Sequence, residues 1–216
     1  MKLFSLLTLG ALLSAANALP TASRRFIPPS LRHVGSNSTN ATLSSYNATS
    51  FTFIADSNFT EIQFQPLVAS GQKFYVGGNS STYCPDVVRP CPKGVDTVVY
   101  PKGSLNVAVP GGQQIYVAPN GALSFTVPHS ANIPTNSSTG PFVFKNTTTA
   151  APFSVGEWSY ARSGFVACPV NATGVERYQV FVANSTGSSA DCLPFKALAQ
   201  PWVATANWTV GAWEYF

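Results

Sequence analysis

An all-β domain, a single antiparallel sandwich or barrel, is the fold class this sequence predicts, and three observations carry the prediction. The composition is 45% apolar and 12% aromatic but only 9% charged, where an average soluble domain carries about 25% charged residues. Short runs rich in Val, Phe, Tyr and Ile recur between Gly, Pro, Asn and Ser clusters, the pattern of strands joined by turns. Alternation is clear in places: Leu105, Val107 and Val109, then Ile115 and Val117, then Leu123, Phe125 and Val127 form sets that should each face a core. A β-trefoil is the alternative, although no internal repeat is regular enough to support it.

In chain order, strands are expected over 50–55, 60–67, 73–76, 96–100, 105–109, 114–117, 123–127, 142–145, 153–160, 164–168, 178–183 and 212–216. Only 192–200 reads as helical. Pro119-Asn120-Gly121 carries the Asn-Gly pair favoured in a tight hairpin, and Pro110-Gly111-Gly112 marks the turn before it. These elements assign residues 51–216 to one β domain with two disulfides. Residues 19–50, rich in Ser, Thr and Asn with Pro28-Pro29, show no sustained apolar period and read as a propeptide-like, disordered arm.

Residues 1–18 read as a signal peptide. Lys2 precedes the apolar run Leu3 to Leu13, and Ala16-Asn17-Ala18 offers a cleavage site. That run is too short to span a bilayer. Arg24-Arg25 resembles a dibasic processing site, and the end of the chain, from Trp208 to Phe216, lacks the spacer and apolar tail of a GPI signal. The expected product is secreted, extracellular or held in a cell wall, with no membrane partner. Ten of the fourteen asparagines open an N-x-[ST] sequon: Asn37, Asn40, Asn47, Asn58, Asn79, Asn136, Asn146, Asn171, Asn184 and Asn207. With 43 Ser plus Thr in 216 residues, chance placement would give roughly three, so the excess predicts a glycan coat on surface loops.

Charge excludes one class of partner. Loss of Lys2, Arg24 and Arg25 with the leader would lower the formal balance from +4 (12 basic, 8 acidic) to 9 − 8 = +1. The remaining basic residues are scattered singly, apart from Arg89, Lys93 and Lys102. Nucleic-acid binding needs a concentrated basic surface, and none is present.

Four cysteines in a secreted chain form two bridges, for which sequence alone allows three pairings. The proline-bounded segment Pro85 to Pro90 favours Cys84 with Cys91, which leaves Cys168 with Cys192. A zinc site is disfavoured because there is no C-x2-C pair and only His33 and His129 are available. No metal or cofactor is expected.

No catalytic residues are assigned. His33 falls in the arm, and His129 in Pro128-His129-Ser130 reads as a solvated loop residue, since no G-x-S-x-G turn supplies a nucleophile. Glycosidases need two carboxylates on one cleft. Glu61 with Glu157 and Asp86 with Asp96 are pairs that eight acids permit, but the plain reading of each is a solvated strand or loop charge. Gly77-Gly78 and Gly111-Gly112 are turn glycines, because no Lys-Ser follows them to make a phosphate loop. Exposed Trp can stack on sugar faces, which makes Trp202 and Trp208 candidate platforms, while Trp158 and Trp213 are expected in the core.

The order of several motifs resembles the fungal secreted cell-wall proteins of the phialide (phiA) type, a group that also contains IgE-binding allergens. The resemblance lies in Ile62 to Ser70, Phe74-Tyr75-Val76-Gly77-Gly78 leading to Cys84, Ser104 to Val107 followed by Gln113 to Val117 and Asn120-Gly121, and Trp158 followed by Phe165-Val166-Ala167-Cys168-Pro169. An aromatic strand, Tyr178 to Val182, then leads to Asp191-Cys192, as in that family. It covers most of residues 55–195. The sequon-rich arm, Cys91 and the aromatic tail from Trp202 depart from the pattern. The resemblance implies a non-enzymatic wall or surface glycoprotein, with wall polysaccharide or wall glycoproteins as partners and a role in wall architecture or conidial development. A secreted carbohydrate-binding or host-directed protein is the alternative.

Overall fold

A computed structural model describes residues 49–147, 154–172, 175–205 and 207–216. The expected signal peptide and nearly all of the expected arm, with His33, Asn37, Asn40 and Asn47, lie outside the described residues. Within them the chain forms β1 (Phe51–Asp56), β2 (Leu67–Ser70), β3 (Lys73–Val76), β4 (Thr82–Tyr83), β5 (Val99–Tyr100), β6 (Ser104–Leu105), β7 (Ile115–Val117), β8 (Leu123–Phe125), β9 (Phe142–Asn146), β10 (Gly156–Tyr160), β11 (Phe165–Ala172), β12 (Val175–Val182), β13 (Leu193–Pro201) and β14 (Glu214–Tyr215). No helix occurs among the described residues, so none is long and apolar enough to cross a membrane.

Every ladder between these strands is antiparallel. The main path runs β6-β5-β1-β13-β11-β12-β3-β8-β7, with β10 on β13, β9 on β10 and β2 on β3, while β14 pairs with β4. Strand β13 belongs to both layers. Its first residues pair with β11 (Phe195 opposite Phe165), and its later ones lie between β1 (Phe53 opposite Ala199) and β10 (Trp158 opposite Ala197). A strand that changes layer is one way a sandwich turns its corner. The two ends of the path meet only at Ser104 and Gln114, where the Leu105 N–H donates to Gln113 O at 3.0 Å and the Ile115 N–H to Gly103 O at 2.9 Å. The contact covers both edges without extending into a ladder, so the fold is a sandwich rather than a closed barrel or a trefoil.

Between the layers lies a core in which Phe51, Phe53, Phe74, Phe125, Phe165 and Trp158 are buried. Trp158 is 1% exposed. It stacks on Phe53 at 4.8 Å and on Phe142 at 4.9 Å and lies 5.4 Å from Phe165. Its indole N–H would be costly to bury unpaired, and it donates to Pro101 O at 2.9 Å. A satellite cluster of Ala122, Cys168 and Phe181 packs on the other face of β11 and β12, as period-two alternation requires when Ala167 and Val180 point into the core.

Three sequence expectations fail for identifiable reasons. Residues 192–200, read as helical, lie in β13 from Leu193 onward. Phe195, Ala197 and Ala199 are buried at alternate positions while Lys196 is exposed, and the small residues face the Trp158 ring stack. Residues 60–67 are not one strand. The Gln63 N–H donates to Phe59 O at 3.0 Å, a single helical turn that buries Ile62, and extended pairing resumes only at Pro66, which bridges Ile54 ahead of β2. In 123–127 the alternation stops at Phe125, and Val127 is exposed. The Pro119-Asn120-Gly121 hairpin is present in a different form from a two-residue turn. Gly121 N–H closes on Ala118 O at 2.7 Å, Gly121 has φ 89°, and the Ala118 N–H reaches Ala122 O at 2.9 Å. This is a three-residue loop whose third position requires a left-handed backbone. A Cβ there would also collide with Ser185.

Cys84 is bonded to Cys91 and Cys168 to Cys192, with sequence separations of 7 and 24. Loop entropy assigns about 2.4 kcal/mol to the shorter closure and about 3.4 kcal/mol to the longer. Replacing both members of the Cys168–Cys192 pair by serine should therefore lower the thermal midpoint more than the same change at Cys84 and Cys91. The reverse order in thermal unfolding would show that the local loop carries more of the fold than its length implies.

Candidate functional site

The sequon asparagines sort by exposure. Asn58, Asn79, Asn136, Asn146, Asn184 and Asn207, the six whose side chains are described, are all exposed. They sit in the β1–β2, β3–β4, β8–β9, β12–β13 and β13–β14 connections and at the end of β9. Asn171 lies in β11, its side chain outside the described residues. By contrast Asn106, which opens no sequon, is 1% exposed and accepts the Gly211 N–H at 3.3 Å through Oδ1. Surface exposure is the structural requirement for a bulky, hydrated glycan, and the loop positions spread that requirement over several ends of the sandwich.

Beneath this surface the end of the chain is tied into the domain by a buried polar network. Gln113, 2% exposed, donates through Nε2 to Thr126 O at 2.9 Å and Tyr215 O at 2.8 Å, while its Oε1 accepts the Tyr215 N–H at 2.8 Å. The Tyr215 hydroxyl donates to Asp96 O at 2.6 Å and accepts the Val98 N–H at 3.0 Å. Burial, foremost, raises the phenol's pKa well above its ordinary value, with Asp96 adding in the same direction and the Val98 bond opposing. A raised folded-state value means the stabilisation is complete below the unfolded pKa of about 10 and is lost as pH climbs beyond it. Phe216 completes the closure: its N–H donates to Ser81 O at 3.0 Å and its carbonyl accepts the Gly71 N–H at 2.8 Å. Nothing in the sequence marks Gln113 or Tyr215 for this work, because each becomes distinctive only through a partner about 100 positions away.

The candidate acids are not drawn into one cleft by any observed bond. Glu61 is exposed and its carboxylate receives the Thr60 hydroxyl at 3.4 Å. Glu157 lies on β10 directly opposite Lys145 of β9, a cross-strand pair of opposite charge. Asp86 is exposed on the Cys84–Cys91 loop, and Asp96 is engaged through its backbone carbonyl. No group of three or more His, Cys, Asp or Glu among the described residues could hold a metal ion. Trp202 and Trp208 are half-buried. Trp202 donates its backbone N–H to Ser50 O at 3.1 Å, and Trp208 exchanges backbone bonds with Thr205. Trp213 is half-buried as well.

Two disulfides, an antiparallel sandwich and exposed sequons define a class: a disulfide-stapled β domain of the kind made for an oxidising compartment. The sequence pattern of the PhiA-like secreted proteins matches residues 51–215, and the chain belongs to that family. It is a secreted protein of fungal type. An "uncharacterized secreted protein" of Arthroderma benhamiae is 39% identical over 157 residues, covering 69% of this chain and 77% of that one. No solved structure matches. The matched span runs across the positions of Cys91 and of the tail from Trp202 to Tyr215. The structure explains the tail, since β14 and Phe216 complete the domain.

Proposed function

We propose that this protein is a non-enzymatic, N-glycosylated component of the fungal wall or cell surface, contributing to wall architecture or conidial development. The observation that carries the reading is the exposure of every described sequon asparagine on a domain whose two disulfides and C-terminal residues are all tied into one sandwich. Such a body tolerates a crowded, oxidising matrix, and its hydroxyls, amides and glycans keep it hydrated with few charges. IgE binding, where it occurs, follows from abundance and stability rather than from a dedicated site. Wall polysaccharide or wall glycoprotein is the partner.

Purified glycoprotein should be retained on intact fungal walls in a pull-down and should show no turnover of wall polysaccharides, esters or peptides. Enzymes turn over at about 1–1000 per second, well above assay background. Hydrolysis that disappears on replacing Glu61, Asp86, Asp96, Glu157 or His129 would refute the reading. Glycopeptide mapping should find glycans at Asn58, Asn79, Asn136, Asn146, Asn184 and Asn207, and bare asparagine at most of these would remove its main support.

A further inference from the structure

The connection between β8 and β9, residues 126–141, contains no strand, and connections this long inside a compact domain are commonly functional. It is nevertheless held in place. Val117 and Ser138 exchange both backbone bonds, at 2.7 and 2.9 Å, and the Thr126 N–H donates to Gln114 O at 3.0 Å. Together with the turn at Pro110 and Gly111 it encloses an open pocket of about 550 Å³. His129 stands at its rim with φ 58°. A left-handed backbone is uncommon outside glycine, and such positions gather at ligand clamps.

The chemistry of the lining is specific. No Asp, Glu, Lys or Arg contributes to it, which disfavours phosphates, metal ions and charged peptides. Pro110 and Ile133 supply apolar surface. The Thr126 hydroxyl oxygen accepts the Gln114 N–H at 3.0 Å, and the Ser130 hydroxyl oxygen accepts the Asn132 N–H at 3.1 Å. The Ser130 hydroxyl keeps its proton to donate among the described residues, whereas Thr126 is 2% exposed and adds little to the open surface. Gln114 spends its Nε2 on the carbonyls of Gly103 and Ile115, which leaves Oε1 to accept. A hydroxyl donor and an amide acceptor in a pocket with apolar surface suit a pyranose, whose hydroxyls both donate and accept and whose C–H face is apolar.

We propose that the pocket between the Pro110–Gly111 turn and the His129 loop binds the end of a neutral oligosaccharide. This deepens the wall-protein reading by naming the surface that touches the polymer. The site differs from the half-buried Trp202 and Trp208.

The test is calorimetric titration of the intact glycoprotein with hexasaccharides of β-1,3-glucan, chitin and mannan. His129→Asn keeps a residue tolerant of left-handed backbone, and Ser130→Ala removes one hydroxyl. Each should weaken binding about tenfold with the thermal midpoint unchanged, the effect of one lost hydrogen bond to ligand. Absence of binding to all three sugars at millimolar concentration would overturn the site, as would binding that survives both variants or fails only on Trp202→Ala or Trp208→Ala. Wall retention is scored separately: a protein released freely from walls defeats the wall reading, while the titration still decides the pocket.

Discussion

Trp158→Ala should cost about 3–5 kcal/mol, the range for truncating a buried large aromatic. Domains of this kind have about 5–15 kcal/mol in total, so the variant should lose roughly a fifth or more of its stability. The size of the effect follows from position. Trp158 lies on β10 opposite Ala197 of β13, with ring contacts to Phe53 on β1, Phe142 on β9 and Phe165 on β11. Truncation therefore opens a cavity shared by four strands and leaves Pro101 O without its donor. Trp158→Phe should recover most of the packing and forfeit the hydrogen bond. Denaturant unfolding of the two variants separates these contributions, and a loss below about 1 kcal/mol for alanine would mean that the rings are not the centre of the core.

Tyr215→Phe should be the other severe substitution although it removes a single oxygen. That oxygen serves two buried backbone groups, Asp96 O and the Val98 N–H, and each unsatisfied buried group costs about 1–3 kcal/mol. The expected loss is about 2–4 kcal/mol, without any cavity larger than the hydroxyl. Deleting residues 213–216 should go further and prevent secretion of folded protein, because Gln113 then loses both of its Tyr215 partners and β4 loses its partner strand. The alkaline limb gives an independent check. Wild type should begin to lose stability above about pH 10, the unfolded phenol's pKa, and Tyr215→Phe should flatten part of that decline. Near wild-type stability of the phenylalanine variant at neutral pH would show that these bonds are replaced by water.

Much of the sandwich is legible in the sequence because alternation and turn chemistry are local. The runs at β1, β3, β7, β9 and β12 announce themselves, and Pro119-Asn120-Gly121 fixes a hairpin. What is not legible depends on contacts distant in the chain. Residues 192–200 look helical until Trp158 is laid opposite Ala197, and 60–67 look extended until Ile62 is seen to turn inward. Tyr215 looks like part of an added tail until it meets Gln113. The sequons were legible as a surface pattern, and exposure agrees with that pattern wherever an asparagine side chain is described. The His129 pocket was not, since its polar side chains, Gln114 before β7 and Thr126, His129, Ser130 and Thr139 after β8, lie in two separate connections and none carries a recognisable motif.

The measurement that bears most directly on the central claim is fractionation of the producing fungus into medium, detergent-extractable and wall-bound material, with the protein quantified in each. The wall reading predicts that most of the protein stays with washed walls, carries N-glycans, and is released by digestion of the polysaccharide. Recovery mainly as free protein in the medium, with none retained when purified protein is added back to walls, would contradict it.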